Sequence, residues 1–111
     1  MPSTPRTYSP LTEEALLLLG KQIRLARKRR RMSERDLASR IGVARSTLQL
    51  IEKGNPSVAI GLALEAATIA GVDLFVPETT TLVPEIERTE DKLALMPRSI
   101  RKPPNEVDDD F

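Results

Sequence analysis

A chain of 111 residues supports one small domain, and with two Phe, one Tyr and no Trp its core must be built from Leu, Ile, Val and Ala. It has neither Cys nor His, which excludes disulfides, thiol nucleophiles, the usual zinc sites and imidazole acid–base chemistry, so no metal or cofactor is expected. The formal net charge of +1 hides a segregation: residues 1–76 carry 12 Lys/Arg against 7 Asp/Glu, and residues 77–111 carry 5 against 9. That balance suggests a polyanion as partner for the first part and a basic surface for the second. The lack of Cys fits a reducing cytoplasm. Met1–Pro10 is polar and proline-rich, unlike a signal peptide, and the longest apolar run, Ala15–Leu19, is too short to span a bilayer. A cytoplasmic location without a membrane partner is the expectation.

Residues 1–11 contain three prolines and read as a flexible arm. Thr12, followed by Glu13 and Glu14, is a plausible N-cap, and Leu16, Leu19, Ile23 and Ala26 then keep helical spacing to about Arg30. Seven of the eleven residues from Lys21 to Arg31 are basic. Cations in a last turn suit the helix dipole whatever the function, but seven exceed what that needs, and phosphate nearby accounts better for the rest.

Ser33 predicts the cap of a second helix with Leu37, Ala38 and Ile41 inward, ended at a Gly42 turn that Val43 plugs. A third helix, from about Arg45 to Lys53, turns Leu48, Ile51 and Thr47 inward, and Gly54 stops it. Two helices this short, joined by so tight a turn, predict a helix-turn-helix, which lays its second helix in the major groove of DNA. On that helix Arg45 can donate two hydrogen bonds to guanine and Gln49 can bind adenine bidentately. Ser46 can reach a base or a phosphate. For Arg45 the alternative is a phosphate contact alone. Leu50 either touches a thymine methyl or packs on the second helix. Arg24, Lys28, Arg35, Arg40 and Lys53 are candidate phosphate contacts, each with an ordinary solvated charge as its alternative.

Asn55-Pro56-Ser57 punctuates the chain and predicts the cap of a fourth helix from about Val58 to Ala70. That helix is apolar on nearly every face, so it is either deeply buried or half buried and half a dimer interface. Gly71 ends it, and Val72–Val76 reads as a short strand that lacks a partner within the chain and could pair with a second copy. Leu62, Ala66, Ile69, Val72, Leu74 and Phe75 are the candidate dimerisation residues. The domain then spans 12–76, with 77–111 an acidic, proline-containing tail expected to be disordered; Glu85–Met96 offers only a weak helical pattern. Asp108, Asp109, Asp110 and Phe111 combine charge with an aromatic anchor and suit a basic, pocketed protein partner; the alternative is a solubilising tail.

The pattern resembles the XRE-type helix-turn-helix family, whose fold is that of the lambdoid phage repressors. The residues that carry the likeness are Leu19-Gly20 at the opening of the first helix, Ile23, Ala26-Arg27, Leu37-Ala38, Gly42-Val43 and Ile51-Glu52-Lys53-Gly54. The resemblance implies an all-α, lambda-repressor-like bundle of four to five helices, with the short C-terminal strand added, and a homodimer that represses transcription at a palindromic operator. It also implies a structural ion pair between Arg27 and Glu52. Glu52–Val58, the segment 72–76 and the acidic tail are similar more narrowly to HipB-like antitoxins, which autoregulate their operon and bind a HipA-type kinase toxin. A stand-alone regulator is the alternative, and no enzyme activity is expected. Three positions depart from the family pattern: Glu34 where Gln is common, Arg31 where Gly is common, and Ala44 where Ser or Thr commonly caps the recognition helix.

Overall fold

The computed structural model describes residues 6–99. It contains five helices in chain order, α1 (Pro10–Arg29), α2 (Glu34–Ile41), α3 (Arg45–Glu52), α4 (Ile60–Ala70) and α5 (Val83–Ala94). The chain divides after Glu78 into two units, α1–α4 in the first and α5 in the second. No helix of the described residues is long and apolar enough to cross a membrane.

In the first unit α1 packs on α3 and α4, and α2 packs on the same two helices. Their meeting faces bury Ile23, Leu37 and Leu48 completely, together with Ala66, Ala67 and Ala70 of α4. Each large aliphatic side chain removed from water in this way contributes about 1.5–3 kcal/mol. The three alanines let α4 lie close against its neighbours, and Leu62, Ala63 and Ile69 add half-buried contacts.

All four helices of this unit end in the same way. An amide just beyond the helix reaches back to the carbonyl five residues earlier (Met32 to Arg27, Val43 to Ala38, Asn55 to Leu50, Val72 to Ala67), at 2.8–3.0 Å. The motif needs a left-handed residue just before that amide. Gly42, Gly54 and Gly71 fill three of the places, with φ of 76°, 76° and 92°, and Arg31 fills the fourth with φ 56°. The turn after α1 is therefore built as a glycine would build it, with an arginine in a conformation that costs a side-chain-bearing residue about 1–2 kcal/mol.

Several expectations are corrected. α1 begins at Pro10, capped by the backbone of Ser9, so Thr12 lies inside the helix and Leu19-Gly20 sits at its middle, not its opening. Proline suits a first helical position because its missing N–H has no partner to lose there. Asn55 and Ser57 do not cap α4. The Asn55 side chain accepts the Ser57 amide at 2.8 Å in a turn of its own, and α4 starts at Ile60.

No strand forms among the described residues. Val72, Leu74 and Val76 are half buried while Asp73 and Phe75 are exposed, the alternation of a strand, but no ladder partner is present. Instead the Val76 amide turns back to the Leu74 carbonyl at 2.7 Å, and Phe75 takes φ 67°, a left-handed conformation that breaks an extended run.

In the second unit, α5 occupies part of the stretch expected to be disordered. Its local bonds are few: the Thr81 hydroxyl accepts the Val83 amide at 3.2 Å just before the helix, the Thr89 hydroxyl donates to the Glu85 carbonyl at 2.8 Å, and Arg88 pairs with Glu85. The Glu85–Arg88 pair, three residues apart, stabilises a helix modestly without an apolar core face. Val83, Ile86 and Leu93 are exposed.

Candidate nucleic-acid interface

The interface is assembled on α2 and α3. A reciprocal cap starts α2: the Ser33 hydroxyl accepts the Asp36 amide at 3.0 Å, and the Asp36 carboxylate accepts the Ser33 amide at 3.4 Å. Gly42 turns the chain, and α3 follows from an Ala44 cap that offers no side-chain hydrogen bond. Leu48, Ile51 and Glu52 are the buried face of α3. With 3.6 residues per turn, Arg45 and Gln49 align along one edge of the helix, and Ser46 and Leu50 along the next. Arg45 and Ser46 are exposed, Gln49 is half buried and Leu50 is 40% exposed.

What holds α3 against α1 is a buried ion pair. Arg27 Nε donates to Glu52 Oε2 at 2.7 Å and Nη2 to Oε1 at 3.1 Å, while Nη1 donates to the Met32 carbonyl at 3.0 Å. Both side chains are more than nine-tenths buried. The hydrogen bond with Glu52 pushes the Arg27 guanidinium above its ordinary value against the opposing effect of burial. One side chain thereby ties the end of α3 to α1 and to the turn that precedes α2, fixing the recognition helix on its scaffold. Close backbone packing adds to this. A Cβ on Gly20 would stand 2.5 Å from the Glu52 carbonyl oxygen, so α1 and α3 meet where only glycine fits.

The candidate phosphate contacts separate into groups. Arg24 and Lys53 line one cleft with Glu34, Gln49 and Glu52, and Arg35 lines a second with Ser33, Glu34 and Arg45. These three cations therefore flank the outward edge of α3. Lys28 and Arg40 are exposed on α1 and α2 but line neither cleft. Arg30, counted among the basic run, donates from Nη1 to the Ile69 carbonyl at 3.4 Å, serving the last turn of α4. Of the candidate dimerisation residues, Ala66 is wholly inside the core, which removes it from any interface this fold can offer. Leu62, Ile69, Val72 and Leu74 pack partly on that same core, and Phe75 is 88% exposed. Asp108, Asp109, Asp110 and Phe111 lie outside the described residues.

One participant was not expected from the sequence. Glu34, at the first position of α2, accepts Arg45 Nε at 2.9 Å and Gln49 Nε2 at 3.3 Å, both on Oε1. These two hydrogen bonds, Arg45 first, hold its carboxyl below the usual glutamate value. Eleven and fifteen residues separate the partners, so no helical periodicity points to the contact. The signal in the sequence is Glu34 itself, an acidic residue where the resembled family commonly has Gln.

Among the described residues no group of acidic side chains is arranged to hold a metal ion. No curated protein and no solved structure matches the chain. Residues 18–78, more than half of its length, match the family described as a helix-turn-helix domain. With α2, the Gly42 turn and α3 disposed as that motif requires, the chain belongs to the helix-turn-helix family of DNA-binding regulators.

Proposed function

We propose that the protein is a sequence-specific transcriptional repressor that inserts α3 into the major groove of double-stranded DNA. The observation that carries the reading is the outward edge of α3, where Arg45, Ser46, Gln49 and Leu50 stand clear of the core with Arg24, Arg35 and Lys53 around them. Arg45 and Gln49 carry the donor and acceptor sets that read guanine and adenine, and the surrounding cations supply the phosphate contacts that set register. The role assigns no catalytic residue.

Binding as a homodimer to a palindromic operator is the form in which such helices act, with half-sites roughly 34–36 Å apart. Sedimentation at micromolar concentration tests this: a monomer there counts against the dimer. The antitoxin role adds a kinase-type toxin as partner. Of the three segments behind it, 72–76 forms no strand, and the acidic tail 77–111 is described only as far as residue 99. The stand-alone regulator is therefore the reading carried forward. Its test is selection from a randomised duplex pool, which should return a preferred sequence; equal retention of all duplexes contradicts it.

A further inference from the structure

The contact made by Glu34 raises a physical question, because a carboxylate beside a recognition helix repels the phosphates that helix must approach. The N-terminus of α2, a place where backbone amides would otherwise attract phosphate, carries Glu34 and the capping Asp36. On charge alone this arrangement weakens binding to any DNA.

The atoms used suggest what is gained. Arg45 engages Glu34 through Nε, and among the described residues neither Nη is bonded; the side chain is 61% exposed. Guanidinium has five donor hydrogens, one on Nε and four on the two Nη atoms. Held by Nε, the fork projects end-on with both Nη groups available for guanine O6 and N7. Gln49 gives one amide hydrogen to the same oxygen. Its second hydrogen and its own oxygen are left, which is the pair adenine N7 and N6 require. An ionised carboxylate only accepts hydrogen bonds, so it also dictates which end of the Gln49 amide faces it. The carboxyl stays ionised at neutral pH, since Arg45 and Gln49 hold its proton affinity down.

We propose that Glu34 is the positioning residue that makes Arg45 and Gln49 read bases instead of phosphates, by holding both side chains on one oxygen with their base-reading donors free. This rests on the DNA-reading assignment of α3. A free arginine on a helix surface samples many rotamers and binds whichever phosphate it reaches. A tethered one has its geometry prepared before DNA arrives, and immobilising such a side chain in advance is worth roughly 2- to 10-fold in the interaction it then makes. Glu34 at the same time disfavours duplexes in which Arg45 meets no guanine, because such complexes keep the repulsion and lack the compensating contact. The outcome is lower affinity for DNA in general and a larger ratio between right and wrong sites.

The experiment selects a preferred sequence from a randomised duplex pool with the wild-type protein. It then measures affinity for that duplex, for each single-base variant of it, and for a scrambled duplex. The proteins compared are wild type, Glu34→Gln, Glu34→Ala, Arg45→Ala and the Glu34→Ala/Arg45→Ala double variant. Glu34→Ala should bind the scrambled duplex roughly 2- to 5-fold more tightly, as removal of one exposed like charge predicts. It should lose roughly 2- to 10-fold of discrimination at the base pairs read by Arg45 and Gln49, and at no others. Glu34→Gln keeps an acceptor for Arg45 Nε without the charge and should retain part of that discrimination. In the Arg45→Ala background, Glu34→Ala should no longer alter preference at the Arg45 base pair. A wild-type preference that Glu34→Ala leaves unchanged at every position overturns this proposal and leaves the regulator reading standing. A wild-type protein that selects no sequence overturns both.

Discussion

Replacing Arg27 by Met tests how the recognition helix is held. The substitution keeps the aliphatic bulk and deletes two hydrogen bonds to Glu52, at 2.7 and 3.1 Å, and one to the Met32 carbonyl at 3.0 Å. Glu52 is then left without its partner in a site where its side chain is only 6% exposed. Breaking a buried pair from one side costs about 3–5 kcal/mol, because the surviving charge has neither water nor partner. Against a total stability of about 5–15 kcal/mol for a small domain this is a large fraction. At about 4–8 °C per kcal/mol for a unit of this size, the melting temperature should fall by at least about 12 °C. Circular dichroism melts and urea titrations of Arg27→Met, Glu52→Leu and the double variant measure it. The double variant removes both charges and should recover most of the loss, since an apolar pair of similar volume commonly does as well as a buried ion pair. Arginine stays protonated across the usable pH range with or without Glu52 beside it, so the Glu52→Leu loss should not vary between neutral and alkaline pH. A loss below about 1 kcal/mol for Arg27→Met, the worth of an exposed pair, refutes the reasoning. So does a double variant no more stable than the singles.

Other outcomes follow from the same geometry. Gly20→Ala drives a Cβ to 2.5 Å from the Glu52 carbonyl oxygen, and Gly54→Ala meets the Leu16 backbone at 2.8 Å with φ 76°; each should cost about 1–3 kcal/mol or more in a urea titration, and an unchanged midpoint contradicts the close approach of α1 to α3. Arg31→Gly relieves a left-handed arginine worth about 1–2 kcal/mol, less about 0.5–1 kcal/mol for the extra freedom of glycine when unfolded, so a modest gain in melting temperature is expected. Ala44→Ser supplies the missing cap of α3 and should stabilise by about 1 kcal/mol. The Glu34 carboxyl is lowered in the folded protein, chiefly by the Arg45 hydrogen bond. Its contribution is therefore fully present above the ordinary glutamate value and is lost only as pH falls through the lower, folded one. Base preference measured by fluorescence anisotropy should accordingly stay constant from neutral pH down to about pH 5, and a decline within that window counts against the contact.

Much of the first unit could be read in the sequence because its signals are local and mutually consistent. Leu37, Leu48 and Ile51 fall on helical spacing, Ser33 and Asp36 stand three apart as a reciprocal cap requires, and Gly42, Gly54 and Gly71 each mark a helix end. Where reading failed, a local pattern was true but pointed elsewhere. Val72–Val76 does alternate between buried and exposed, yet alternation says which side chains meet the core, not whether a neighbouring strand exists to bond the backbone. Asn55 and Ser57 are good capping residues, and they bond each other. The stretch of α5 offers only a weak helical pattern because it lacks a full apolar face, while the Glu85–Arg88 pair three residues apart supports it locally. At the interface, Arg45 and Gln49 could be picked out as outward residues of α3. Their shared partner across the turn could not, because Glu34 reaches them through tertiary packing that no period in the chain encodes.

The central claim, that α3 reads DNA sequence through Arg45 and Gln49, is tested most directly by titrating wild-type and Arg45→Ala protein against a selected duplex and its scrambled counterpart at fixed salt. The account predicts that wild type prefers the selected duplex by roughly 10³-fold or more. It predicts that Arg45→Ala loses about 1–3 kcal/mol of that preference, concentrated at one base pair. Equal wild-type affinity for the two duplexes, unchanged by Arg45→Ala, would contradict it.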